Sequence, residues 1–267
     1  MIDLHCHILH SMDDGPETLR ESVEMCRMAA MDGTTTIAAT PHFNPGQYPW
    51  TGETIRERII ELEAALQAEN IVLTIVPGAD VAIFPDLPTH PGLKNFLSIN
   101  NSRYLLLEFP HFYVPQSWDA FLRSLLAVGT VPVITHPERN YWFVRHPKAV
   151  EQAVQLGALV QITAMSLLGG FGNDARKFSF HLLKRDLAHV IASDGHSATV
   201  RPPLLSEGVK AAAALIGDER ARELVETIPA AIVANKPVRI QQPRTLDAGK
   251  RTWFDSLSRF MHLGTGS

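Results

Sequence analysis

Seven short runs rich in β-branched and apolar residues recur along the chain, and all but one end in side chains able to bind a metal ion. The runs are Ile2–His7, Thr35–His42, Ile71–Asp80, Tyr104–Pro110, Val131–His136, Leu159–Ala164 and His189–His196. Helical patterns separate them. In PETLRESVEMCRMAAMDG, Pro16 stands near the start and Gly33 just past the end. In TGETIRERIIELEAALQAEN, Ile55, Ile59, Leu62 and Leu66 recur at helical spacing. QSWDAFLRSLLAVG and HPKAVEQAVQLG continue the series. Strand and helix alternating in this way build an α/β fold on a parallel sheet, and seven such units point to a sheet closed into a barrel. A doubly wound open sheet is the alternative, though no Gly-x-Gly-x-x-Gly follows the first run.

The ligand-type residues fall where each run ends. His5 and His7 are two apart, so on a strand they face one side, and Asp13 and Asp14 follow in the loop. His42 closes ATPH, Asp80 closes PGAD, Glu108 lies in LLLEFP, His136 in ITHPER, and Asp194 and His196 in SDGH. His5 to His42 is 37 residues, His42 to Asp80 is 38, and the next two steps, to Glu108 and to His136, are 28 each. A βα unit takes on the order of 30 residues. The 58 residues from His136 to Asp194 leave room for two units, with the unliganded QITA between. The donors therefore recur with the architecture and converge on one mouth, where barrel enzymes carry their sites. Glu108, flanked by apolar residues, also needs a cation, a proton or an ion-pair partner. Mixed imidazole and carboxylate donors suit manganese, iron or zinc, and nine of them exceed what one ion needs. Two or three ions would use the set more completely, lowering the pKa of bound water and clamping phosphate or carbonyl oxygens. His10, His90, His111, His146, His181, His189 and His262 follow no such pattern and are expected in local or surface roles.

Composition narrows the class. The chain has 267 residues, 45% hydrophobic and 19% charged, which suits one large α/β domain or at most two small ones. No apolar run approaches the ~20 residues that cross a bilayer, and no secretory signal is visible. Two cysteines, Cys6 and Cys26, fit a reducing cytoplasm. Neither begins a Cys-x5-Arg loop, since Met12 and Asp32 stand where the arginine would be. A net charge of -4 without a long basic run argues against nucleic acid. The main domain is expected over 1–240. Beyond it, 241–267 reads as a linker and a terminal amphipathic helix packed on the barrel.

HCH, DDG, TPH, GAD, LLLEFP, THPERN and SDGH, in that order, resemble the PHP (polymerase and histidinol phosphatase) superfamily. DDGPETLRES, TPHFNPG, ITHPERN, QITAMSLLG and the Arg-Pro-Pro at 201–203 are closest to one branch, the bacterial metal-dependent tyrosine-protein phosphatases associated with capsular polysaccharide synthesis. The resemblance implies a distorted (β/α)7 TIM-like barrel holding three metals, commonly manganese. It places His5, His7 and Asp194 on one ion, Glu108 and His136 on a second, and Asp14, His42 and His196 on a third. Asp80 would bridge the first two; that branch usually has Glu there, one methylene longer. Arg139 and Arg201 match arginines that grip the substrate phosphate, a role suited to a planar fork of donors. Asp13 is assigned to positioning rather than to metal.

The reaction expected from this set is hydrolysis of a phosphomonoester, with Arg139, Arg201 and Asp14 as catalytic residues. By resemblance the substrate is a phosphotyrosine protein, the tail of a cytoplasmic bacterial tyrosine kinase that regulates polysaccharide export. The loops 43–54 and 86–92 are expected to shape the entrance. Rival readings are a histidinol-phosphate phosphatase, a phosphodiesterase or nuclease, and a metal-stabilised binding module without turnover. Oligomeric state is open.

Overall fold

The computed structural model describes residues 1–240. The linker and terminal helix expected over 241–267 lie outside the described residues. Among the described residues nine strands form: β1 Ile2–Cys6, β2 Thr36–Ala39, β3 His42–Phe43, β4 Thr74–Pro77, β5 Asp80–Ala82, β6 Tyr104–Glu108, β7 Val131–Thr135, β8 Leu159–Thr163 and β9 Val190–Ala192. Every strand pairing is parallel. One sheet runs β1-β2-β4 and the other β3-β5-β6-β7-β8-β9.

The strands differ from the seven uninterrupted runs read in the sequence. The second and third runs each break into two strands, because Pro41 lacks an N–H and Pro77-Gly78 interrupts the neighbouring run at the same level. The two breaks lie side by side, so one sheet ends and the other begins there. β1 meets the end of β9 through a single parallel bridge, Cys6 to Gly195, backed by the His7 N–H to Gly195 O bond at 2.8 Å and the Asp194 N–H to His5 O bond at 2.8 Å. Among the described residues the pairing is thus two parallel sheets joined at one bridge, and no closed barrel ladder forms.

The connecting helices follow their sequence signals. Helix Leu19–Met31 opens with a capping box between Thr18 and Glu21. Helix Gly52–Ala68 buries Ile55, Ile59, Leu62 and Leu66, the stripe its spacing predicts. Helix Pro147–Leu156 starts on proline and ends at Gly157, whose φ is 114°. No helix of the described residues is long and apolar enough to cross a membrane. Because every strand is parallel, the strand C-termini open on one side, and the loops that follow them meet there.

A cap between elements helps hold that frame. Asp32, just past helix Leu19–Met31, accepts bonds from the Leu205 N–H at 2.7 Å, from the Ser206 N–H at 2.9 Å and from the Ser206 hydroxyl. It thereby satisfies donors at the start of helix Ser206–Ile216. Asp32→Ala is expected to lower the free energy of unfolding by ~1–2 kcal/mol, read as a shifted midpoint in urea denaturation.

Candidate metal centre

The nine donors singled out in the sequence come together at the strand C-terminal mouth. Four overlapping groups have one donor atom from each member within 4.8 Å of the others: His7, Asp14, His42 and His196; His5, His7 and Asp80; His5, His136 and Asp194; and His42, Asp80 and Glu108. Together these groups contain all nine residues and no other. The expected set of Asp14, His42 and His196 is present, with His7 added. The pair Glu108 and His136 is looser, at 3.7 Å; Glu108 groups with His42 and Asp80, and His136 with His5 and Asp194.

Asp80 sits at the centre. It is fully buried, and neither carboxylate oxygen has a hydrogen-bond partner. Its Oδ2 lies 3.5 Å from His5 Nε2 and 3.3 Å from His42 Nδ1. His5 Nε2 is 3.1 Å from His7 Nε2 and 3.3 Å from Asp194 Oδ1. On the outer side, Asp14 Oδ1 stands 3.5 Å from His42 Nε2 and 3.4 Å from His196 Nε2. Two facing imidazole nitrogens and a buried carboxylate without donors are what divalent ions bind, so the residues present fit the metals the sequence implied.

Neighbouring groups aim the imidazoles. The His7 Nδ1–H donates to Asp13 Oδ2 at 2.6 Å, and Asp13 also accepts from the His42 N–H at 2.7 Å and the Gly15 N–H at 2.9 Å. Gly15 is required by close approach, since a Cβ there would stand 2.6 Å from the His7 carbonyl oxygen. The His5 Nδ1–H donates to Gln161 Oε1 at 3.1 Å, and the His136 N–H reaches the same oxygen at 3.3 Å. The His196 Nδ1–H donates to the Asp194 carbonyl at 2.9 Å. In each case Nδ1 carries the proton outward and leaves Nε2 for the cluster. Gln161 lies on β8, in the run that looked unliganded. As a neutral amide it offered no signal beyond its place on a strand facing the mouth.

The electrostatics record a shortage of positive charge. Burial alone pushes His5 and His42 down, yet Asp80 with Asp194 raises His5 to about 9, and Asp80 with Glu108 raises His42 to about 10. Burial, and then the Asp80 charge, push the Glu108 carboxyl up to about 7. Burial and the Arg139 guanidinium hold His136 well below the usual imidazole range. The acids thus favour positive charge among them, which protonated imidazoles or bound cations can supply.

Both predicted arginines reach the rim. Arg139, in the turn Pro137–Arg139, pairs with Asp194 Oδ2, and Arg201 Nη2 pairs with the same oxygen at 2.5 Å. Two clefts open at the mouth, one of them lined by Arg139. One of about 370 Å3 is lined by residues that include Asp14, His42, Asn44, Tyr48, Glu108 and His111. The other, about 430 Å3, includes His111, Phe112, Arg139, Tyr141, Arg145 and Phe171. The 43–54 loop thus shapes the entrance as expected. The 86–92 loop does not line either cleft; its His90 packs among Phe43, Phe84 and Phe96. His111, read as a local residue, instead stands where the two clefts meet.

Residues 1–234 match the protein family described as capsular polysaccharide synthesis, CpsB/CapC. The tyrosine-protein phosphatase YwqE of Bacillus subtilis (strain 168) is 39% identical over 201 residues, which are 75% of this chain and 79% of that protein. The tyrosine-protein phosphatase CpsB of Streptococcus pneumoniae is 30% identical over 241 residues, 88% of this chain and 99% of that one. A solved structure from work describing YwqE and CpsB as unique metal-dependent tyrosine phosphatases superposes with a TM-score of 0.87 at 35% identity, covering 92% of this chain and 100% of that chain. The phosphotriesterase of Mycobacterium tuberculosis shares the fold alone, at a TM-score of 0.51 and 10% identity over 88% of this chain and 94% of that one. The chain belongs to the CpsB/CapC family of capsular polysaccharide synthesis proteins.

Proposed function

We infer that this protein is a metal-dependent phosphatase that hydrolyses phosphotyrosine in a protein of capsule or exopolysaccharide synthesis. The observation that carries the reading is the buried Asp80 carboxylate, without a hydrogen bond and gathered with eight further donors at a mouth whose rim carries two arginines. Names carried by relatives, tyrosine-protein phosphatase among them, support the same activity. The substrate we favour is a cytoplasmic bacterial tyrosine kinase. The fold reading that accompanies it is the distorted (β/α)7 barrel of the PHP superfamily, with its ladder interrupted at Pro41 and Pro77-Gly78.

His5, His7, Asp80, Glu108, His136 and Asp194 would hold two ions, with Asp80 between them, and Asp14, His42 and His196 a third. Manganese is the metal we favour, with iron and zinc as alternatives. When bound, such ions make water a nucleophile near neutral pH and neutralise phosphate oxygens. The chain's own residues do the rest. Arg139 and Arg201 present N–H forks to the non-bridging oxygens and orient phosphorus toward the donors. Asp14, half exposed and held ionised by its His196 hydrogen bond against the cost of burial, keeps a charged carboxylate at the rim, where the reacting water would be held. The leaving tyrosine oxygen, with a pKa near ~10, departs without much protonation. The flanking clefts leave room for a peptide on either side of the phosphotyrosine.

Chelation should abolish turnover of a phosphotyrosine peptide, and added manganese should restore it; a chelated protein that still turned over would end the metal reading. Arg139→Ala should lower kcat/KM by about 100-fold or more while elemental analysis finds the metal retained. A binding module without turnover would lose nothing measurable in that assay. Asp80→Asn should reduce the metal that co-purifies with the chain, since one oxygen and the negative charge are lost at the point where the groups overlap. Unchanged metal content in that variant would remove Asp80 from the ligand set.

A further inference from the structure

Phe171 lies between helices Ala164–Leu168 and Asn173–Lys184, in the run Gly169-Gly170-Phe171-Gly172. The backbone there is tied down. The Gly170 N–H donates to Met165 O at 3.0 Å and the Gly172 N–H to Gly169 O at 2.9 Å. Gly169 and Gly172 have φ of 88° and 90°, which a side chain would disfavour. A Cβ on Gly170 would stand 2.5 Å from Met165 Cγ. Phe171 is therefore the single side chain carried by a tightly folded loop, and it is half-buried.

Its ring faces the rim of the metal centre. The Arg139 guanidinium carbon lies 4.2 Å from the ring centroid, and that of Arg201 lies 5.6 Å away. Both fall within the ~6 Å over which an aromatic face attracts a cation. On the other side, both guanidiniums bond Asp194 Oδ2, and Arg201 Nη2 also donates to the Asp194 carbonyl at 3.1 Å. For Arg139, that single oxygen fixes the distance of the guanidinium but leaves its plane free to swivel. An aromatic face within reach of the guanidinium carbon limits that freedom by attraction and adds no acceptor that would compete with a phosphate for the N–H groups.

We propose that Phe171 is a positioning residue that sets the orientation of both phosphate-gripping guanidiniums. This rests on the assignment of Arg139 and Arg201 to the substrate phosphate. The ring's cation contacts are with the arginines, so it acts on phosphate affinity through them and not on metal content.

The full chain, loaded with manganese, would be assayed on a phosphotyrosine peptide with inorganic phosphate as competing inhibitor. Phe171→Ala should raise both KM and the phosphate inhibition constant about tenfold, with kcat within about threefold and metal content unchanged. Phe171→Tyr, which keeps an aromatic face, should stay within about twofold of the parent, whereas Phe171→Leu should resemble the alanine variant. A leucine variant as good as the tyrosine variant would overturn the proposal, as would an alanine variant with unaltered phosphate inhibition. If Phe171→Ala fails to fold, the leucine and tyrosine pair decides. Arg139→Ala, run alongside, separates the layers. Should it raise the phosphate constant while the Phe171 variants do not, positioning by Phe171 falls alone; should it too leave that constant unchanged, the assignment beneath falls.

Discussion

A carboxylate with no hydrogen bond, buried at the meeting point of two sheets, sets the terms for this molecule. An unpaired buried charge costs several kcal/mol, so Asp80 is tolerated only where positive charge comes to it. Asp14, Glu108 and Asp194 add to the demand. The arginines at the rim, Arg139 and Arg201, both pair with Asp194. What remains for Asp80 is His5 and His42, and the charge of Asp80 accordingly helps lift both imidazoles well above their ordinary range. Packing charged imidazoles together is itself unfavourable: burial, and then His7 stacked at 3.8 Å, push the His196 imidazole below its ordinary range. Divalent ions resolve both problems, because they satisfy the acids and need the imidazoles neutral.

That demand explains why the backbone around the mouth is unusual. His136 and Asp194 both occupy left-handed conformations, with φ of 32° and 51°. Neither is glycine, so each costs free energy that the surroundings must offset. The left-handed turns let a chain leaving a strand double back, so that the side chain stays at the mouth while Arg139 or His196 follows within a few residues. The Asp194 N–H bond to His5 O then ties the end of β9 to β1 at the level of the donors. The same bridge that joins the two sheets therefore aligns ligands from opposite ends of the sequence.

Much of this was legible in the sequence, for a physical reason. In a parallel α/β fold the strand C-termini share one side, so a donor repeated at each strand end must converge with the others, whatever the details of pairing. His5, His7, His42, Asp80, Glu108, His136, Asp194 and His196 followed from that argument. The seams at Pro41 and Pro77-Gly78 did not, because the β-rich pattern continues through them and only the missing N–H marks the break. Gln161 was hidden because a neutral amide on a strand looks like any polar residue. Phe171 was hidden in a glycine run that reads as a turn. His90 misled in the opposite sense: its loop looked like an entrance, but the ring fills an aromatic cluster instead.

Asp194 joins the two halves of the site. Its Oδ1 faces His5 at 3.3 Å, His7 at 3.5 Å and His196 at 3.6 Å, while its Oδ2 faces both guanidiniums. The two oxygens share one negative charge. A carboxylate that commits charge to cations through Oδ1 competes less for the guanidiniums at Oδ2, and their donors become freer to turn to a phosphate. Conversely, arginines engaged with substrate leave more of that charge for the cluster. On the proposed assignment, metal binding and the grip on phosphate would be linked through a single side chain, and linkage of this kind is reciprocal. The aromatic face of Phe171 fits that arrangement, since it holds the guanidiniums near the mouth as the pull of Asp194 weakens, without adding a charge that would compete with the phosphate.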